Sequence, residues 1–162
     1  MLGKQHAQGR EHAIGHPALT DSTTGLANRL HFELVYSYLF AAGDRGLTFT
    51  VMLLSVGGPD ALPEERLRTV GQKIQRTTRD SDLVAHVGRG RFVVLLIGTN
   101  LQGARIAADR IEVALSEITG GAALSFGLAQ YEERMEDSSE PLESADKALL
   151  AAEAAGGGLE FA

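Results

Sequence analysis

With 162 residues and 44% hydrophobic content, the chain can bury one core but hardly two, so a single domain is expected. The absence of cysteine excludes disulfides and thiolate metal sites. A net charge of −6 excludes general attraction to nucleic acid or anionic lipid, so an anionic ligand must find a local basic site. No apolar run is long enough to cross a bilayer and no charged-then-apolar leader opens the chain, so a cytoplasmic domain without membrane insertion is the expectation.

Residues 1–16 carry three of the five histidines and no apolar period, the pattern of a flexible tail or linker stump on a larger polypeptide. His12 and His16 have the i, i+4 spacing of a helical metal pair, but Gly15 and the lack of a third ligand favour a solvated tail. The domain proper is then 17–162. From Asn28, the apolar positions Leu30, Leu34, Tyr38 and Leu39 predict a helix ending near Gly43, and Leu47 to Val56 predicts a buried strand. Pro63 followed by Glu64 and Glu65 opens a helix with negative charge at the positive end of its dipole, continuing through Leu67, Val70 and Ile74.

The runs Asp82-Leu-Val-Ala-His-Val87 and Phe92-Val-Val-Leu-Leu-Ile97 predict two strands, and Gly88 and Gly90 between them predict a tight hairpin. Arg89 and Arg91 beside those glycines suggest a phosphate cradle. The loop precedes no helix and lacks a following Lys-Ser or Lys-Thr, however, so exposed hairpin charges are expected. His86 is expected to be packed or solvated rather than catalytic. A helix over about 100 to 118, a strand near 122 to 130, a helix from about 141 to 155 and a short last strand complete the chain. The charged stretch 132–140 is a connection. The sum is an α/β domain with a central sheet whose strand order the pattern alone leaves open.

Asp21-Ser-Thr-Thr-Gly-Leu-Ala-Asn-Arg29 resembles the D-x-L-T-G-L-x-N-R opening of the GGDEF family, the diguanylate cyclases. Arg79-Asp-Ser-Asp82 resembles the RxxD before that family's signature hairpin, and Gly88-Arg89-Gly90-Arg91-Phe92 lies where the signature belongs. Ala123-Leu-Ser-Phe-Gly-Leu-Ala129 and Ala145-Asp-Lys-Ala-Leu149 resemble two further family segments, in family order. The resemblance implies a nucleotide-cyclase palm, a largely antiparallel central sheet flanked by helices. In it Asp21 and Arg29 are expected to brace the turn around Thr24-Gly25-Leu26.

A working cyclase of this family needs hard carboxylate oxygens around two divalent ions. By the resemblance, the first such ligand falls on Ser55 and the acidic pair of the hairpin on Gly90 and Arg91. A guanidinium ~4 Å from a divalent ion is repelled by several kcal/mol even at an effective dielectric of about 20. The family's F-K-x-x-N-D segment has no counterpart in Val56-Gly-Gly-Pro-Asp-Ala-Leu62, a loop about eight residues shorter than the family pattern. Glu64 stands where the family has a guanine-binding Asp. The phosphate-facing Lys and Arg have become Glu153 and Gly157. A degenerate former active site at Ser55, Glu64, Gly88, Arg89, Gly90 and Arg91, with no metal, no cofactor and no turnover of GTP, is therefore expected.

The RxxD survives. In active relatives it is the inhibitory site for cyclic di-GMP, and its chemistry suits a guanine dinucleotide. Arg79 offers a planar fork to guanine O6 and N7 or to phosphate, and Asp82 can accept from guanine N1 and N2 hydrogens. Counting from the hairpin puts Arg110 where the family often offers a second arginine, and Arg76 lies one turn before Arg79. Two readings stay open: Arg79 and Asp82 as a ligand site, or as a solvated structural pair worth under about 1 kcal/mol. The first makes the domain a non-catalytic cyclic di-GMP receptor acting on a protein partner or a second copy. The second leaves an interaction or dimerisation module without nucleotide affinity.

Overall fold

In the computed structural model, which describes residues 16–58 and 61–162, β1 (Phe49–Val56) is the middle strand of a five-stranded sheet. The order is β2-β3-β1-β4-β5, with β2 (Leu83–His86), β3 (Arg91–Ile97), β4 (Leu124–Gln130) and β5 (Gly158–Phe161). β1 pairs antiparallel with β3 and β4, β2 pairs antiparallel with β3, and β5 alone runs parallel to its neighbour β4. The expected α/β architecture with a largely antiparallel sheet is thus observed.

Both faces of the sheet are covered, which is why β1 and β3 are apolar at almost every position instead of alternating with polar residues. Met52, Leu54 and Val56 point to α2 (Glu64–Thr77) and α3 (Leu101–Ser116), where they join Val70, Ile74, Ala108 and Ile111. Phe49 and Val51 point the other way, to α1 (Arg29–Gly43), joining Phe32, Tyr36 and Leu39. α4 (Ser139–Ala154) lies on that second face, over β4. Ser55 and Arg91 are register partners at the ends of β1 and β3.

The side of α1 that is buried differs from expectation. Leu30, Leu34 and Tyr38 are 49%, 57% and 73% exposed, whereas Phe32, Tyr36, Leu39 and Gly43 are buried. The helix carries two apolar ridges at i, i+4 spacing, and aromatic packing selects between them. Tyr36 meets Phe49 edge-on, and Tyr131 stacks on Phe49 with centroids 5.2 Å apart while its edge contacts Phe40. The Tyr36 hydroxyl donates to the Ser138 carbonyl, tying α1 to the start of α4; burial, with Asp137 nearby, raises its pKa above the ordinary phenol range.

His16 caps the short turn Pro17–Leu19 by accepting from Ala18 N at 3.3 Å, so it belongs to the folded entry rather than to a tail; His12 lies outside the described residues. Among the described residues no helix is long and apolar enough to cross a membrane.

Candidate functional site

The N-terminal turn docks on the β2–β3 hairpin. Asp21 Oδ2 accepts from Thr24 N at 2.9 Å and from Thr24 Oγ1 at 2.7 Å, closing the loop as expected. The same oxygen lies 3.0 Å from His86 Nδ1, so His86 is packed and paired on the β2 edge, 8% exposed. Arg29 does not brace the turn: it reaches across to donate to the Val87 carbonyl at 3.0 Å. Because one carboxylate oxygen serves three groups, Asp21→Ala is expected to destabilise the domain by about 1–2 kcal/mol. A urea midpoint unchanged from wild type would contradict this role.

The hairpin turn follows the glycine spacing. Arg91 N donates to Gly88 O at 3.0 Å, with φ of 55° at Arg89 and 75° at Gly90, the type I′ signature. Arg91 is not an exposed hairpin charge. Its side chain is half-buried and its guanidinium lies 3.2 Å from Glu153 Oε2 and 3.5 Å from Asp146 Oδ1. Glu153 Oε1 also accepts from the buried Ser55 hydroxyl at 2.8 Å. β1, β3 and α4 thereby bring Ser55, Arg91 and Glu153 into one network. Glu64 is outside it, exposed in the first turn of α2. The sequence signal for this network was a reciprocal sign change: a cation where the resemblance implies an acid at Arg91, and an acid where it implies a cation at Glu153.

On the opposite face, Arg79, Asp82 and Arg110 line one cavity of about 190 Å³ with Thr77, Thr99 and Ile106. The 78–82 turn after α2 positions the first two, and the exposed side of α3 supplies the third. Asp82 Oδ2 accepts from Arg79 N at 3.1 Å and Oδ1 from Ile97 N at 3.2 Å, which locks the turn against β3. Arg79 and Arg110 are exposed, and among the described residues neither guanidinium has a side-chain partner. The cavity therefore presents two available cations beside a carboxylate that keeps lone pairs to spare. Arg76, also exposed, does not line it.

The family described as "Diguanylate cyclase, GGDEF domain" matches residues 60–158, more than half of the chain. The chain belongs to the GGDEF family. Among solved structures, the coiled coil and GGDEF domain of DgcB from Caulobacter crescentus, in complex with c-di-GMP, is 22% identical. It superposes with a TM-score of 0.81 over 99% of this chain and 94% of that one. The diguanylate cyclase SiaD of Pseudomonas aeruginosa, in complex with its activator SiaC, is also 22% identical, with a TM-score of 0.81 over 98% of this chain and 67% of SiaD. The GGDEF domain of PA1120 (YfiN or TpbB), from the same organism, is 26% identical, with a TM-score of 0.73 over 85% and 96% of the two chains. No curated protein matches the sequence.

Proposed function

We propose that this GGDEF domain is a non-catalytic receptor for cyclic di-GMP, bound through Arg79, Asp82 and Arg110. The convergence of these three side chains on one cavity carries the reading. Arg79 and Arg110, on different elements, line the same cavity and can each offer a guanidinium to a phosphate or a guanine edge, while Asp82 is held by its two backbone bonds and can still accept from a guanine N1–H and N2–H. The cyclic dinucleotide in the DgcB complex supports the same ligand here.

The former catalytic side does not fit two divalent ions. Ser55 offers a hydroxyl in place of a carboxylate, and the Arg91 guanidinium sits against Glu153, the acid nearest to it. A cation approaching Glu153 must displace a guanidinium already paired with it, which opposes metal binding and, with it, GTP turnover. Among the described residues no group of three or more His, Asp or Glu side chains is placed to hold a metal ion.

A second reading, an interaction module without nucleotide affinity, is favoured by one observation: both Asp82 oxygens already serve the fold, so the RxxD has a structural reason to persist. Calorimetric titration separates the two. Cyclic di-GMP is expected to bind near micromolar, about −8 kcal/mol, and GTP with magnesium to give no heat. Arg79→Ala is expected to weaken binding at least tenfold, about 1.4 kcal/mol, without moving the melting temperature. A folded wild-type domain that gives no heat with cyclic di-GMP would leave the interaction module.

A further inference from the structure

The cavity that Arg79 lines is about 190 Å³, below the range of about 300–1,000 Å³ typical of sites that enclose a small molecule. It therefore has room for one part of a cyclic dinucleotide, a single base, with the rest of the ligand outside.

On the α3 side the cavity is made by Gly103, Ile106, Ala107 and Arg110. Their i, i+3, i+4, i+7 spacing is one stripe of helix. Gly103 and Ala107 are small, so Ile106 and Arg110, one turn apart, are the long side chains of that stripe. Ile106 is 52% exposed, and it is the one exposed large apolar side chain among the described residues that lines this cavity. It plays no part in seating α3, which packs through Ala104, Ala108, Ile111 and Leu115. An apolar side chain left in water beside a cavity is stabilised when a ligand covers it, and the flat face of a purine supplies such a cover.

The polar lining is asymmetric. Thr77, Thr78 and Thr99 each donate their hydroxyl to a main-chain carbonyl, of Lys73, Gln75 and Ile97, at 2.7, 3.1 and 3.2 Å. Their oxygens keep lone pairs but have no proton to give, and the Asp82 carboxylate only accepts. Charged donors come from Arg79 and Arg110. A base edge rich in N–H groups therefore suits the Asp82 and threonine side, as guanine N1–H and N2–H do. Adenine would turn its bare N1 toward the same acceptors, and no hydrogen bond could form there.

We infer that Ile106 is a further ligand contact of this site. It packs on the face of one guanine, whose N–H edge meets Asp82 and the threonine oxygens while phosphate lies with Arg79 and Arg110. The lining thereby selects guanine over adenine. The inference rests on the cyclic di-GMP reading and deepens it.

Calorimetric titration of cyclic di-GMP and cyclic di-AMP into wild type, Ile106→Ala, Ile106→Leu and Val113→Ala tests it. Ile106→Ala is expected to weaken cyclic di-GMP at least about fivefold with an unchanged melting temperature, because the side chain lies outside the core. Ile106→Leu, which keeps the apolar bulk, retains most of the affinity. Val113, two turns further along the same side of α3, is 68% exposed and does not line the cavity, so Val113→Ala binds as wild type does. Cyclic di-AMP is expected to bind wild type at least about tenfold more weakly than cyclic di-GMP. A folded wild type that gives no heat with cyclic di-GMP would overturn the receptor reading and this contact together. Wild-type binding that Ile106→Ala leaves unchanged, or that Val113→Ala or Ile106→Leu weakens as much, would overturn the contact alone. Equal binding of the two dinucleotides would overturn the selection of guanine.

Discussion

Gly127→Ala is expected to destabilise the domain by about 3–4 kcal/mol, a large part of the 5–15 kcal/mol typical of a native domain. Gly127 sits in the middle of β4, opposite Leu53 of β1, on the face that α4 covers. A Cβ there would lie 2.3 Å from the Ala145 carbonyl oxygen and 2.4 Å from Leu149 N. Those atoms are helix backbone, so no side-chain rotation relieves the overlap; α4 must lift from the sheet along the contact that also holds Ala145 and Leu149 fully buried. Gly46→Ala is the control. Its φ of +92° is strained for alanine but a Cβ there meets nothing within 4 Å, so it is expected to cost only about 1 kcal/mol. Urea unfolding of the two variants measures the difference, and a Gly127→Ala midpoint no lower than that of Gly46→Ala would refute the close approach of α4 to β4.

The second large effect concerns Arg91 and Glu153, whose side chains are 28% and 18% exposed. Glu153→Lys sets two cations against each other and removes the acceptor of the Ser55 hydroxyl, itself 1% exposed. Breaking a fully buried pair costs about 3–5 kcal/mol; partial access to water reduces the expectation here to about 2–3 kcal/mol. The double variant Arg91→Glu with Glu153→Lys restores opposite charges in the polarity of the family pattern. It is expected to recover at least about 1.5 kcal/mol of that loss as coupling energy. Denaturant melts of wild type, both single variants and the double variant close the cycle. Additive losses would mean that the two side chains stand near each other without mutual stabilisation.

This pair marks where sequence reasoning stopped short. Each position was legible alone as a departure from the family pattern, and the hairpin turn was legible from Gly88 and Gly90. That Arg91 and Glu153 answer one another depends on α4 packing on β4 and β1, beside the start of β3, and no local pattern encodes a contact between residues so far apart in sequence. Reading Arg91 as an exposed charge failed for that reason. His86 is similar: its strand was legible, but its partner Asp21 comes from the entry turn, which a backbone bond from His86 N to Ala27 O docks on β2.

For the elements themselves, local signals sufficed. α2 begins where Pro63 and the paired glutamates predict, and its buried side is Leu67, Val70, Gly71 and Ile74, near the predicted 3.6-residue spacing. α3 likewise buries Ala104, Ala108, Ile111 and Leu115. In α1 periodicity alone does not choose the buried side, because Leu30, Leu34 and Tyr38 are as apolar and as well spaced as the ridge that is buried. Periodicity identifies a helix whatever faces it, whereas the choice of ridge rests on Phe49 and Tyr131, which only the assembled sheet presents.

Unaided, the sequence determined the helices and strands, the tight hairpin and the family, because propensity, turn chemistry and motif order act within short stretches of chain. The tertiary structure alone decided which ridge of α1 is buried, that Arg91 closes on Glu153 and Asp146, and that Arg79, Asp82 and Arg110 line one cavity. Those outcomes depend on how the helices settle on a sheet ordered β2-β3-β1-β4-β5, a packing of the whole chain that no single segment specifies.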